Sequence, residues 1–401
     1  MDDIIKQAVL KCMPNAIIGL LRNIKRYPED QKILENLLLE GVPRALDFDM
    51  NKFAKSVLSY VDSMNVGTCS YRFSASSSKP TLYASVYACM LYGLFNNLEE
   101  NKKEWIEFFD SYQCSDGLFR DRECLNDLFE NGDGWGARHL AGHIIIAYHR
   151  LGAVPKQDFK FLEPLLNCDT LLKWLDNMNY RYIWRTSNVI MNYGILMQYA
   201  RDYMGNKKAG YAVIAIQEWL LSNIREDCGV WFDRRLENLD DVLEACRGAY
   251  HLYPILLYDN IPIPYMDKAV ETFMKTQNKW GGFDKEIRSS ACADIDVLDP
   301  LLRLSILSSY RVDEVKKIVL RALPWVLSNQ NLDGGFVFSR ASQFAYGGHA
   351  NLSSKPDESN LFGTWFRTLA VLYMEKYLFN RSVNFANIPG YEMPLPKFNV
   401  R

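Results

Sequence analysis

The chain has 401 residues, 48% of them hydrophobic and 13% aromatic, with a formal net charge of −2. Such a composition supplies a large core and excludes wholesale disorder, and the near-neutral charge removes any electrostatic case for a nucleic-acid partner. Nine scattered cysteines without a C-x-x-C spacing exclude a disulfide framework and a structural zinc cluster. No apolar run is long enough to span a membrane, although peripheral membrane contact stays open. Met1–Asp2–Asp3–Ile4–Ile5 lacks the basic and apolar regions of a secretory signal, so the expected setting is cytoplasmic.

Residues 1–48 predict an N-terminal helical extension. Ile4, Ile5, Val9 and Leu10, then Ile17, Ile18, Leu20 and Leu21, mark one helical face, and Gly41–Val42–Pro43 ends the segment. From about residue 50 the chain divides into six similar units, each an apolar helix, a turn or loop, and a second apolar helix. The turns are best developed in three of them: Tyr112–Gln113–Cys114–Ser115–Asp116–Gly117–Leu118–Phe119, Thr276–Gln277–Asn278–Lys279–Trp280–Gly281–Gly282–Phe283, and Asn329–Gln330–Asn331–Leu332–Asp333–Gly334–Gly335–Phe336. A period of roughly 50–60 residues signals a repeat architecture, and the scarcity of β-branched alternation makes the units helix pairs. A helix pair cannot bury both faces alone, whereas six can close into a ring. Second helices such as Ile144–Ile145–Ile146–Ala147 and Leu369–Ala370–Val371–Leu372 are apolar nearly all round and suit the inner ring. First helices such as Asp313–Glu314–Val315–Lys316–Lys317 suit the outer one. The predicted fold is an all-α toroid over residues 49–385, followed by a C-terminal tail, 386–401.

The Gln/Asn-rich turn ending in Gly-Gly-Phe resembles the QW-type turn of terpenoid cyclases and of protein prenyltransferase β-subunits. It is carried here by Asn278–Phe283 and Asn331–Phe336, within an architecture covering roughly residues 50–380. Asp294–Ile295–Asp296–Val297, just after one such turn, is similar to the D-x-D-D acid motif of class II terpene cyclases, with Val297 in place of the last aspartate. The resemblance implies that Asp296 is the acid that protonates an alkene or epoxide; such an acid stays protonated only by desolvation or by a neighbouring carboxylate, and Asp294 or Asp299 can supply that repulsion. An alternative reading makes Asp299 a helix N-cap ahead of Pro300 and leaves Asp294 and Asp296 in a loop. The prenyltransferase zinc set is missing: Cys292 and Asp294 stand in reversed order, and Phe362–Gly363–Thr364–Trp365 has no histidine.

Polar and aromatic residues at helical spacing on the inner helices predict a central cavity, since unpaired burial of polar groups is costly. The candidate substrate-binding residues are Tyr83, Tyr87, Trp135, His139, His143, Arg185, Asn188, Glu244, Arg247, Glu358, Trp365 and Arg367. The loop Ser339–Asp357 is long enough to be a lid or a disordered insert, and Arg72 and Lys79 are loop cations suited to an anion. Together these predict a small-molecule enzyme performing acid-initiated cyclisation or isomerisation of an isoprenoid, with Trp135, Tyr83, Tyr87 and Trp365 shielding a carbocation. No cofactor is required, and Mg enters only with a diphosphate-bearing substrate. Two rival readings remain: a glycan-active toroid pairing carboxylates among Glu244, Asp296, Asp299 and Glu358, and a non-catalytic partner-binding toroid. Nothing in the sequence sets the oligomeric state.

Overall fold

The computed structural model describes residues 48–124 and 135–397, so the expected N-terminal helices lie outside the described residues. Outer and inner helices alternate along the chain. The outer set is α1 (Met50–Ser63), α3 (Lys102–Asp110), α5 (Cys168–Asp176), α7 (Lys207–Asn223), α9 (Met266–Met274) and α11 (Val312–Leu327). The inner set is α2 (Leu82–Leu94), α4 (Trp135–Leu151), α6 (Ile183–Tyr203), α8 (Leu239–Leu257), α10 (Ala291–Ser308) and α12 (Leu361–Phe379). Each inner helix packs on the next, and α12 packs back on α2, so the ring closes. The fold is an all-α toroid.

Burial follows the predicted division. Every residue of α2 is buried, and α12 is buried from Leu361 through Met374 and on to Glu375. The outer helices α1 and α11 instead bury a single stripe, as Phe53, Val57, Tyr60 and Val61 do in α1. Short polar side chains start four of the inner helices: Thr81, Asn238, Ser290 and Asn360 each accept a backbone N–H of the first turn. Among the described residues, no helix is long and apolar enough to cross a membrane.

The repeated turns are the joints of the ring. In each, the glutamine side chain donates to the carbonyl of the glycine four residues on: Gln113 to Gly117 at 3.2 Å, Gln277 to Gly281 at 3.1 Å, and Gln330 to Gly334 at 2.9 Å. Gln113 and Gln277 also reach into the following unit, donating to the carbonyls of Gln157 and Ile318. Gly117, Gly281 and Gly334 have φ of +91°, +105° and +91°. A β-carbon on them would come within 2.3 Å of Asp158 O, 2.3 Å of Arg321 O and 2.0 Å of Ser56 O. Glycine is therefore required twice over, for its left-handed backbone and for the close approach. Because Ser56 belongs to α1, the last joint docks the sixth unit onto the first.

Two short hairpins decorate one end. β1 (Asn65–Gly67) pairs antiparallel with β2 (Ser70–Tyr71), and β3 (Phe344–Ala345) with β4 (Ser353–Ser354). The long loop after α11 contains the second of these hairpins. Ser74 Oγ donates to Ser353 O at 2.7 Å, and Asn351 Nδ2 to Glu123 O at 3.1 Å.

Candidate active site

The aspartates sit in a helix, not in a loop. Ser290 caps α10, its side chain accepting from Ala293 N at 3.1 Å, and Pro300 falls inside the helix. The reading of Asp299 as an N-cap is therefore corrected: a better cap lies nine positions earlier. Pro300 has no N–H to offer, so the backbone carbonyl of Asp296, four residues back, has no helical donor there.

About a turn and a half of α10 holds three different fates. Asp294 is fully buried and binds Arg367 at 2.5 Å, Ser289 Oγ at 2.5 Å and the Trp325 indole N–H at 3.3 Å. Arg367 is itself fully buried and donates further to the carbonyls of Ser289, Val337 and Phe338. The pair thus ties α10 to α12 and to the sixth joint. Asp299 holds Arg303 at 2.7 Å, and Arg303 in turn donates to Met393 O, Pro394 O and the Tyr373 hydroxyl.

Asp296 is different. It is 2% exposed, and its Oδ2 is buried with no hydrogen-bond partner. Burial pushes its carboxyl well above the ordinary carboxylate range; Arg247 and the Trp184 side chain pull it down, and Asp294 and Asp299 add to the rise. The repulsion expected from Asp294 and Asp299 is secondary to burial, because each of those carboxylates already faces its own arginine.

Asp296 lies on the wall of a cavity of about 260 Å³ at the N-terminal end of the inner helices. Of the sequence-predicted site residues, Trp135, His139, Arg185, Asn188 and Asp296 line it together. Trp184, Tyr250, His251, Cys292, Tyr346, Phe362, Phe366 and Tyr391 complete the wall. The Trp135 indole N–H donates to Asn188 Oδ1 at 2.6 Å, and Asn188 Nδ2 lies 2.9 Å from His251 Nε2. The Tyr346 hydroxyl lies 2.8 Å from His139 Nδ1. Trp135 stacks on His139 with ring centroids 4.9 Å apart. Arg185 is exposed and so marks the mouth.

The other candidates stand outside this wall. Tyr83 lies behind His139, donating to Gly136 O at 2.9 Å, and Tyr87 packs edge-on against His143. His143 is buried, with Nδ1 2.9 Å from His139 O and its ring stacked on Tyr391 at 4.3 Å. Glu244 accepts the backbone N–H of Trp184 at 3.1 Å. Arg247 pairs with Asp284 at 2.8 Å and places its guanidinium 5.0 Å over the Trp184 ring. Trp365 is buried in the core, and Glu358 caps the loop by accepting from Ser76 N, Ser76 Oγ and Lys355 N. Lys79 pairs with Glu123 at 2.7 Å.

The glycan-active reading needs two carboxylates facing each other across the cavity. Among the described residues that line it, Asp296 is the only carboxylate; Glu244, Asp299 and Glu358 are each engaged elsewhere. No group of three or more His, Cys, Asp and Glu side chains among the described residues could hold a metal ion.

Most of the aromatic wall comes from residues outside the predicted set. Phe362 and Phe366 at i, i+4 on α12 were legible as one helical face, and Tyr250 beside His251 was too. Tyr346 and Tyr391 come from irregular segments, where no periodicity points a side chain inward.

The cavity's titratable groups divide sharply. Burial lowers the His139 imidazole well below its ordinary value and takes His251 down to about 3, so both are neutral near pH 7. Tyr250, Tyr346 and Cys292 are pushed up by the same desolvation. The Asp296 carboxyl is raised by burial as well, toward its protonated form.

No family model matches the chain, and no curated protein matches it. Among solved structures, the chain is similar to the type II terpene cyclase MstE from Scytonema in its apo form, at 12% identity over 81% of this chain and 96% of that one, with a TM-score of 0.48. It is also similar to a protein from Actinoplanes, at 12% identity over 82% and 99% of the two chains, with a TM-score of 0.46. The toroid itself rests on the closed ring of helix contacts described above.

Proposed function

We propose that this protein is an enzyme of terpenoid-cyclase type, in which Asp296 starts the cyclisation or isomerisation of an isoprenoid by protonating it. The observation that carries this reading is a buried carboxyl, one oxygen of which has no hydrogen-bond partner, on the wall of an aromatic cavity, where desolvation favours its protonated form. Protonation of an alkene forms a C–H bond from the π pair and leaves the Asp296 carboxylate and a carbocation. A neighbouring double bond supplies the electrons for ring closure, and loss of a proton ends the sequence. Trp135, Trp184, Tyr346, Phe362 and Phe366 present π faces or edges to the cation, and a largely apolar wall keeps out the water that would quench it.

The volume bears on substrate size. At about 260 Å³ the cavity falls near the lower edge of ligand pockets, roughly 300–1,000 Å³, which favours a short prenyl chain over a squalene-length one. A diphosphate head, with any Mg it carried, would sit outside the apolar bore near Arg185.

The test is incubation with prenyl alcohols and diphosphates of graded length, with product analysis by mass spectrometry. Asp296→Asn is expected to abolish product while leaving binding intact. A product formed equally well by Asp296→Asn would refute the assignment.

A further inference from the structure

Beyond α12 the chain leaves the ring through Asn380 in a left-handed conformation and crosses the C-terminal ends of the inner helices. This segment is built in rather than draped. Arg150, at the end of α4, donates to Asn384 O at 2.6 Å and forms an ion pair with the fully buried Glu392. On the far side of the bore, Arg303 donates to Met393 O and Pro394 O, both at 2.6 Å, and Tyr373 donates to Met393 O at 2.8 Å. Asp299 holds Arg303 in place, which accounts for a carboxylate that the acid chemistry does not use.

Between these anchors the chain turns inward. Gly390 has φ of +118°, a conformation that L side chains rarely adopt, and it directs Tyr391 into the bore. Tyr391 is 4% exposed; its ring stacks on His143 at 4.3 Å, meets Phe366 edge-on at 6.2 Å, and its hydroxyl donates to Asn192 Oδ1 at 3.4 Å. Tyr391 also lines the same cavity as Asp296.

We infer that Tyr391, carried on the tail and clamped through Glu392, Met393 and Pro394, is the floor of the cavity and sets the longest chain the site accepts. The inference deepens the isoprenoid reading and rests on it for substrate class, but the length limit follows from the floor alone. Trimming the ring lengthens the bore toward the tail without touching Asp296.

The experiment measures binding of straight-chain alkanols and of prenyl alcohols, both of graded length, to the full chain and to Tyr391→Phe, Tyr391→Leu and Tyr391→Ala. Circular dichroism and cooperative unfolding check that each variant is folded. The wild type and Tyr391→Phe are expected to share one length cut-off. Tyr391→Leu and Tyr391→Ala should move it to longer chains, with at least a tenfold gain for the first chain the wild type rejects. If Tyr391→Ala does not fold, the shift in Tyr391→Leu decides the matter. An unchanged cut-off in a folded Leu or Ala variant overturns the floor. A cut-off that shifts for alkanols while prenyl alcohols bind no better supports the floor and counts against the isoprenoid reading. Turnover of prenyl substrates with an unmoved cut-off does the reverse. Binding of neither series by the wild type overturns both.

Discussion

Asp296→Asn is expected to stabilise the protein near neutral pH, and the gain should grow with pH. The carboxyl is 2% exposed, with one oxygen unpartnered, and burial holds it protonated well above the ordinary carboxylate range. In the unfolded chain the same group titrates at about 3.9. Between those two values the folded protein binds a proton that the unfolded chain releases, so this group's contribution to stability falls as pH rises. The slope is about 1.4 kcal/mol per pH unit, beginning just above pH 4 and ending at the folded value. Asparagine has nearly the same shape and does not titrate. The difference in unfolding free energy, Asp296→Asn minus wild type, should therefore stay flat below about pH 4 and rise by about 1.4 kcal/mol per unit above it. Taking the difference cancels the opposite trend from carboxylates such as Asp116 and Asp259, which their arginine partners hold low. Urea unfolding followed by tryptophan fluorescence, at one-unit steps from about pH 4 to pH 7, reads it directly. A difference independent of pH, or a wild type more stable than the variant at neutral pH, would show that Asp296 is ionised in the folded protein, and the acid role would fall with it. The sign matters for function: a site that holds a proton ready at neutral pH is expected to cost stability.

The neighbouring aspartate, Asp294, is tested through its ion pair. Arg367→Met strands Asp294 in the core and removes three carbonyl partners, for an expected loss of about 3–5 kcal/mol in urea unfolding. Replacing both partners, Arg367→Met with Asp294→Leu, should recover most of it; equal losses in the single and double variants would mean that the ion pair is not the source. The ring joint is tested by Gly334→Ala against Gly152→Ala. Both glycines have positive φ, +91° and +70°, but only at Gly334 would the new β-carbon meet backbone, 2.0 Å from Ser56 O. Gly152→Ala should cost about 1–2 kcal/mol from backbone strain, and Gly334→Ala clearly more, read as the difference in urea midpoints. Equal costs would refute the close-packed joint between the last and first units.

The architecture was legible in the chain because it is written in periodic form. Six recurrences of helix, turn and helix, with all-round apolar second helices, describe a ring, since that is how such helices bury every face. The Gln-x₃-Gly spacing was equally visible, although its purpose, one side chain reaching its own turn while the glycine docks on the next unit, is a fact of three-dimensional contact. Asp294, Asp296 and Asp299 were legible as a group and indistinguishable within it. Each is a carboxylate on the same buried helix, and what separates them is who faces them: Arg367 from α12 for one, Arg303 across the turn for another, and an apolar cavity for Asp296. Glu358 and Trp365 fell away for the same reason, one pulled out to cap a loop and the other packed into the core. Local sequence determined the helices, their order and the joints, because helix periodicity and turn chemistry act over a few residues. Tertiary structure alone decided which acid lacks an arginine of its own and faces the cavity, and which aromatic residues enclose it, because desolvation depends on neighbours that the chain brings in from as far away as Tyr346 and Tyr391.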